Sequence, residues 1–253
     1  MWIGRLHRAD HLSKARMLER LKRKIRSFGW PDTCWFVADT FLRRVSFGSA
    51  RLVKYYFVAQ PVAERADEHS RSGSIQIYVT ETLDDVICQA PRPVQTMQKR
   101  FDQRSRCVVA ERDGVFAGFI WLCPEQYRED TVRCDYRWTP PRSAVWDFDV
   151  FVAPPFRMGR LFQRLWAHTH GLLAAENVRW TLSRIDALNP GSLAAHRKLG
   201  ARDVARGWFL IAGRFQITVA SAAPYLHVSL RDGDAPQICF DLSRLETESD
   251  RAS

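Results

Sequence analysis

The chain has 253 residues, 46% hydrophobic and 26% charged, with a formal net charge of +10; that apolar mass supports a folded core and excludes a disordered chain. The excess of Lys and Arg suits an anionic partner (a nucleic acid, a phosphorylated cofactor, an anionic lipid headgroup or an acidic carrier) as readily as it suits solubility. No stretch approaches the roughly 20 apolar residues of a bilayer-crossing helix, the N-terminus lacks the apolar run of a cleaved signal, and the six cysteines never form a CxxC pair. Together these predict a cytoplasmic protein with reduced thiols and no zinc site.

In chain order, Leu18, Leu21, Ile25 and Phe28 recur at helical spacing among Arg16, Arg20, Lys22, Arg23, Lys24 and Arg26, so residues 12–28 read as a basic amphipathic helix. It could lie on an anionic membrane, meet an acidic carrier, or dock on its own domain with its charges solvated. A second short helix is expected over 32–50, then strands over 52–61 and 74–79, separated by a polar loop at 64–73. Thr82 and Asp85 resemble a capping box, and Pro91 and Pro93 interrupt any helix over 83–102.

Residues 106–111 and 115–122 flank Asp113-Gly114 and predict a hairpin. A long loop is expected over 123–142. Its Tyr127, Tyr136 and Trp138, with Trp121 and Trp146, either line an acceptor pocket or fill core and rim. A strand over 143–152 ends at Pro154-Pro155. There follow a helix over 160–176, a strand over 178–185, a helix over 193–199 closed by Gly200, a strand pair over 204–211 and 215–219, and a frayed tail after residue 245. This order predicts an α/β fold: a mixed, mostly antiparallel sheet flanked by helices, with an N-terminal helical extension.

The chemistry concentrates at 148–162, where a strand breaks at two prolines and opens into a helix. First-turn amides and the helix dipole, with Arg157 and Arg160 beside them, suit a pyrophosphate; the plainer reading is a basic helix start at the surface. The stretch Val152-Ala153-Pro154-Pro155-Phe156-Arg157-Met158-Gly159-Arg160-Leu161-Phe162 resembles the core of the GNAT superfamily of N-acetyltransferases. There a strand is followed by an Arg/Gln-x-x-Gly-x-Gly/Ala turn carrying the diphosphate of coenzyme A. Arg157 matches its first position, Arg160 and Phe162 stand where glycines are expected, and Gly159 is displaced by one, an atypical pyrophosphate loop. A second block, from Asn189 through Ser192 and His196 to Leu199-Gly200-Ala201, is similar to the family's asparagine followed by a helix that bears a tyrosine and ends in Leu-Gly-Phe. His196 stands at the tyrosine. The resemblance runs from about residue 75 to 219. It implies a basic helical extension leading into a strand over 1–60, a GNAT-like acyltransferase domain over 61–230, and a short, partly disordered segment over 231–253.

The resemblance further implies direct transfer of an acetyl or longer acyl group to an amine acceptor. The donor would be acetyl-CoA, another acyl-CoA or a carrier-bound thioester, with no metal. Backbone groups of Phe148, Val150 and Val152 would hold the pantetheine arm, and the Val150 amide would face the oxyanion. Met158, Gly159, Arg160, Leu161 and Phe162 would cradle the diphosphate with Arg157. Asn189 would contact the arm or hold the strands apart, and Ser192 would cap the helix or touch the donor. His196 would protonate the departing thiolate, unless it is a plain surface histidine. Alternation puts Asp147 and Asp149 on one strand face. Either one acts as base, Asp149 being preferred, or both are neutralised by arginines such as Arg142 or Arg184. The expected partners are a small-molecule or carrier-linked amine, an acyl carrier protein, and a peripheral membrane contact through 12–28. Two other readings stand beside this one: a catalytically silent GNAT-fold ligand-binding protein, or a basic membrane- or nucleic-acid-binding protein. Nucleic acid is disfavoured by the lack of a helix-turn-helix, zinc or RNA-binding signature.

Overall fold

The computed structural model describes residues 28–63, 74–231 and 233–250. The basic helix expected over 12–28, apart from Phe28, and the loop expected over 64–73 lie outside the described residues. Helix α1 (Trp30–Val45) leads into β1 (Ala50–Pro61). Next come β2 (Ile75–Thr80), a 3-10 turn (Ile87–Gln89), α2 (Val94–Asp102), β3 (Arg106–Arg112) and β4 (Val115–Cys123). Short β5 (Tyr127–Arg128) and β6 (Asp135–Thr139) precede β7 (Ala144–Val152), α3 (Leu161–Ala175), β8 (Trp180–Asp186) and α4 (Pro190–Lys198). The chain finishes with β9 (Arg202–Ala212), β10 (Phe215–Ala220), β11 (Leu226–Ser229), β12 (Gln237–Asp241) and α5 (Ser243–Asp250).

Nine strands form one sheet in the order β11-β10-β9-β1-β8-β7-β4-β3-β2, and β12-β6-β5 form a small second sheet. The large sheet is antiparallel apart from β7 and β8. The mixed, helix-flanked architecture agrees with the sequence reading, but its middle does not. β1 lies between β8 and β9, so a boundary at residue 60 would cut through the centre of the sheet. Its residues explain the position: Tyr55, Phe57, Val58 and Ala59 are all buried, so both faces of the strand are apolar, as a central strand requires.

One face of the sheet packs on α3 through Val108, Ile120, Leu122, Val145, Leu165 and Trp166. The other is an aromatic core. Trp146 stacks on Tyr136 and Tyr127 with centroids 4.7 and 5.5 Å apart. Tyr127, Tyr136, Trp138, Trp121 and Trp146 are therefore core residues. The expected loop over 123–142 contains β5 and β6; the C-terminal segment over 231–253 supplies β12, parallel to β6, and the helix α5, which runs into the tail expected to fray after residue 245. The Thr82–Asp85 capping box does not form; Asp84 accepts the N–H groups of Val86 and Ile87 instead.

Candidate active site

Strands β7 and β8 run parallel because α3 crosses between them, and their pairing lasts three residues. Ala144, Val145 and Trp146 stand opposite Trp180, Thr181 and Leu182. Beyond that point β7 continues to Val152 and β8 to Asp186, each still paired on its outer side, to β4 and β1. Their inner edges have parted, which leaves a split beside residues 148–152.

Alongside the split, on the outer side of β7, the β4–β7 register slips. Phe119 faces Phe151 while Trp121 faces Phe148, so β7 carries one residue too many. Asp149, with φ 49°, sits within this extra length, a β-bulge. Gly118 on β4 backs the bulge: a Cβ there would stand 2.7 Å from the Phe151 carbonyl oxygen and 3.2 Å from Leu165, so only glycine lets β4 pass.

The bulge overturns the expectation that Asp147 and Asp149 share a face. Asp147 points to the α3 side, where the Ser183 hydroxyl donates to its Oδ2 at 2.6 Å across the split. Asp149 points to the aromatic side, where Arg92 Nε donates at 2.8 Å and Arg100 Nη1 at 2.7 Å. The Arg100 guanidinium itself lies over the rings of Trp121 and Phe148. Burial would raise the Asp149 carboxyl, but the two guanidinium groups outweigh it and hold the group below the usual carboxylate range. A carboxylate so held is a poor base, so the preference for Asp149 is withdrawn. The expected arginine partners are also corrected, since Arg184 Nε donates to Glu129 at 2.5 Å. Asp147 is 2% exposed and has no arginine partner among the described residues. Burial pushes its carboxyl up, with His196 and the Ser183 hydroxyl pulling back. Its Oδ1 is buried without a hydrogen-bond partner.

His196 is 4% exposed, so it is no surface residue. Its ring meets Trp166 edge to face at 5.6 Å. A buried chain of polar groups fixes its tautomer. The Ala63 N–H donates to His170 Nδ1 at 3.3 Å, and burial pushes His170 down to about 4. His170 is therefore neutral at pH 7 and carries its proton on Nε2. That nitrogen lies 2.9 Å from the Gln60 amide, whose other end lies 3.2 Å from His196 Nδ1. A protonated His170 Nε2 needs an acceptor, so the Gln60 oxygen must face His170 and its nitrogen must face His196. This reverses the Nε2 and Oε1 names, which the near-symmetric amide leaves interchangeable. The Gln60 NH2 then donates to His196 Nδ1, and His196 keeps its proton on Nε2.

At the mouth of the split, α3 begins without a side-chain cap, and the N–H groups of Leu161, Phe162 and Gln163 find no backbone acceptor among the described residues. A cavity of about 300 Å³ opens there, lined by Val150, Phe151, Val152, Arg157 and Phe162. Phe162 borders this space without filling it. Arg157 folds inward: its Nε donates to the Val152 carbonyl at 2.9 Å, and its guanidinium lies over Phe151. The Met158 side chain is fully exposed, Arg160 takes the N-cap position, and Leu161 anchors the helix in the core. A Cβ on Gly159 would meet nothing closer than 3.7 Å, so this loop has no steric need for glycine. Asn189 caps α4 by accepting the Ser192 N–H at 3.1 Å. The far end closes as the sequence suggests: Gly200 has φ 86°, and the Ala201 N–H reaches the His196 carbonyl.

Sequence reasoning missed Gln60, His170, Ser183, Arg92 and Arg100. A glutamine near the end of an apolar strand, Val58-Ala59-Gln60, was the one legible signal among them.

No protein-family profile and no curated protein matches the chain. Several of its structural neighbours are GNAT-family N-acetyltransferases. A tandem GNAT protein from the clavulanic acid biosynthesis pathway is 13% identical, with a TM-score of 0.45 over 67% of this chain and 56% of that one. A Novosphingobium aromaticivorans protein called an acetyltransferase of the GNAT family is 13% identical, with a TM-score of 0.44 over 64% of each chain. A functionally unknown conserved protein of Staphylococcus epidermidis is 11% identical, with a TM-score of 0.43 over 69% of this chain and 67% of its own. The chain thus spans less than two thirds of both GNAT proteins. At such TM-scores these likenesses decide nothing about chemistry.

Proposed function

We propose that this protein is a GNAT-type N-acyltransferase that moves an acetyl or longer acyl group from an acyl-thioester, acetyl-CoA or another acyl-CoA, directly to an amine. The observation that carries the reading is the split between β7 and β8, bulged at Asp149 and opening onto the uncapped start of α3. The residues present fit such a donor. The unpaired edge at Phe148, Val150 and Val152 offers peptide groups to a pantetheine arm, and the amides of Leu161 and Phe162 with Arg157 offer an anion site. Arg157 must leave the Val152 carbonyl for an arm to bind there. The Val150 amide beside the bulge is the assigned oxyanion donor. His196, donating through Nε2–H, and Asp147 lie on the α3 side and serve the departing sulfur. Asp149, locked by Arg92 and Arg100, holds the bulge in shape. No metal is invoked, the amine is a small molecule or is linked to a carrier protein, and the cytoplasm is the expected compartment.

The inward fold of Arg157 and the missing loop glycines favour a second reading, a ligand-binding GNAT fold without turnover. Hydrogen exchange with acetyl-CoA or coenzyme A should protect amides over 148–162. Turnover of radiolabelled acetyl-CoA across a panel of amines then separates enzyme from silent binder. Absence of protection by either ligand would sink both readings.

A further inference from the structure

Helix α1 is built inside out. Its acidic residues face the sheet: Asp32 accepts from Lys54 Nζ at 2.5 Å and from the Tyr56 hydroxyl at 2.8 Å. Asp39 accepts from the Leu52 N–H at 2.7 Å and from Arg43 Nε at 2.7 Å. Trp35, Phe36 and Leu42 are half-buried, but four other large apolar residues of the helix face outward. Trp30 is 64% exposed, Val37 49%, Phe41 67% and Val45 53%, and Phe47 in the following turn is 99% exposed. The spacing of 30, 37, 41 and 45 puts these side chains in one stripe along a helix about 24 Å long. A soluble helix ordinarily shows the reverse pattern.

The apolar surface continues beyond the helix. Lys54 pairs with Trp208, Trp208 with Val219 and Val219 with Leu226, so all share the sheet face on which α1 lies. Val219, Leu226, Val228 and Leu230, at that end of the sheet, are exposed. Patches of this extent normally have an occupant.

Charge selects among occupants. The exposed positions of α1 carry Arg43 and Arg44 and no acid, since Asp32 and Asp39 are both buried. Residues 1–27, directly before it in sequence, hold nine Lys or Arg against two acids, Asp10 and Glu19. A second copy docked stripe to stripe would bring like charges together. An anionic bilayer surface meets both features, because interfacial aromatics enter the headgroup layer while cations meet lipid charge. We propose that the outer face of α1, with Phe47 and the exposed side chains of β11, is a peripheral docking surface for an anionic membrane. The inference is independent of the acyl-transfer reading.

The test is co-sedimentation of the full chain with large vesicles of phosphatidylcholine alone or with about one third phosphatidylglycerol. The expected result is binding to the anionic vesicles only, weakened by salt. Phe41→Ser and Phe47→Ser together should lower the partition coefficient at least about tenfold, with circular dichroism unchanged because neither side chain is buried. Three results would overturn the proposal: no binding to anionic vesicles, equal binding by the double variant, or a dimer in solution that the double variant dissolves.

Discussion

The tautomer of His196 follows from groups about one residue's length apart, and it can be read without any assay of activity. In the wild type, long-range proton–nitrogen spectra should show His196 and His170 both protonated on Nε2. Gln60→Glu replaces a donor by a second acceptor, so His196 should move its proton to Nδ1 while His170 keeps Nε2–H. A wild-type His196 already protonated on Nδ1 would refute the chain from Ala63 to Gln60. Asp147 permits a second check. Its carboxyl is raised in the folded state by burial, so ionisation opposes folding: the cost is absent below the unfolded value, grows as pH rises from the unfolded to the folded value, and is complete above it. Asp147→Asn should therefore match or exceed the wild type in melting temperature at pH 7, with the gap narrowing on acidification. If Asp147 serves the departing group, kcat should fall by about 100-fold or more in the same variant. A variant both less stable at pH 7 and fully active would show Asp147 to be purely structural.

Among the elements, those with local signals were legible. The hairpin about Asp113-Gly114 and the strand ending at Pro154-Pro155 needed only turn chemistry and alternation, and the helix ending at Gly200 needed only a glycine free to take positive φ. The bulge was not legible, because one inserted residue leaves the apolar alternation of β7 nearly intact while reversing the face of Asp149. The grip of Arg92 and Arg100 on Asp149 spans more than forty residues of sequence and leaves no local trace. The aromatic segment over 123–142 misled for a related reason: β5 and β6 are short and pair with each other at only two positions, and the full length of β6 is paired only by β12, about a hundred residues later. The candidate site divides in the same way. Its Asn189 cap lies in one contiguous block, whereas the Asp147–Ser183 bridge and the Gln60–His196 contact exist only once strands distant in sequence have assembled.

At the scale of the molecule, the position of β1 governs stability and site alike. The strand pairs with β8 over seven residues and with β9 over ten, buries Tyr55, Phe57, Val58 and Ala59, and carries near its end the Gln60 that orients His196. Removing it would leave β8 and β9 without a shared neighbour, and the unpaired strand edges would have to close or aggregate. A chain beginning at Phe28 keeps α1 and β1, so it should unfold in one cooperative thermal transition. A chain beginning at residue 62 should show no such transition and should bind a dye for exposed apolar surface. Adding residues 28–61 back as a separate peptide should restore part of the transition if the missing strand is the sole defect. Cooperative melting of the shorter chain alone would mean that β8 and β9 can join directly and that β1 is an insertion the fold does not need.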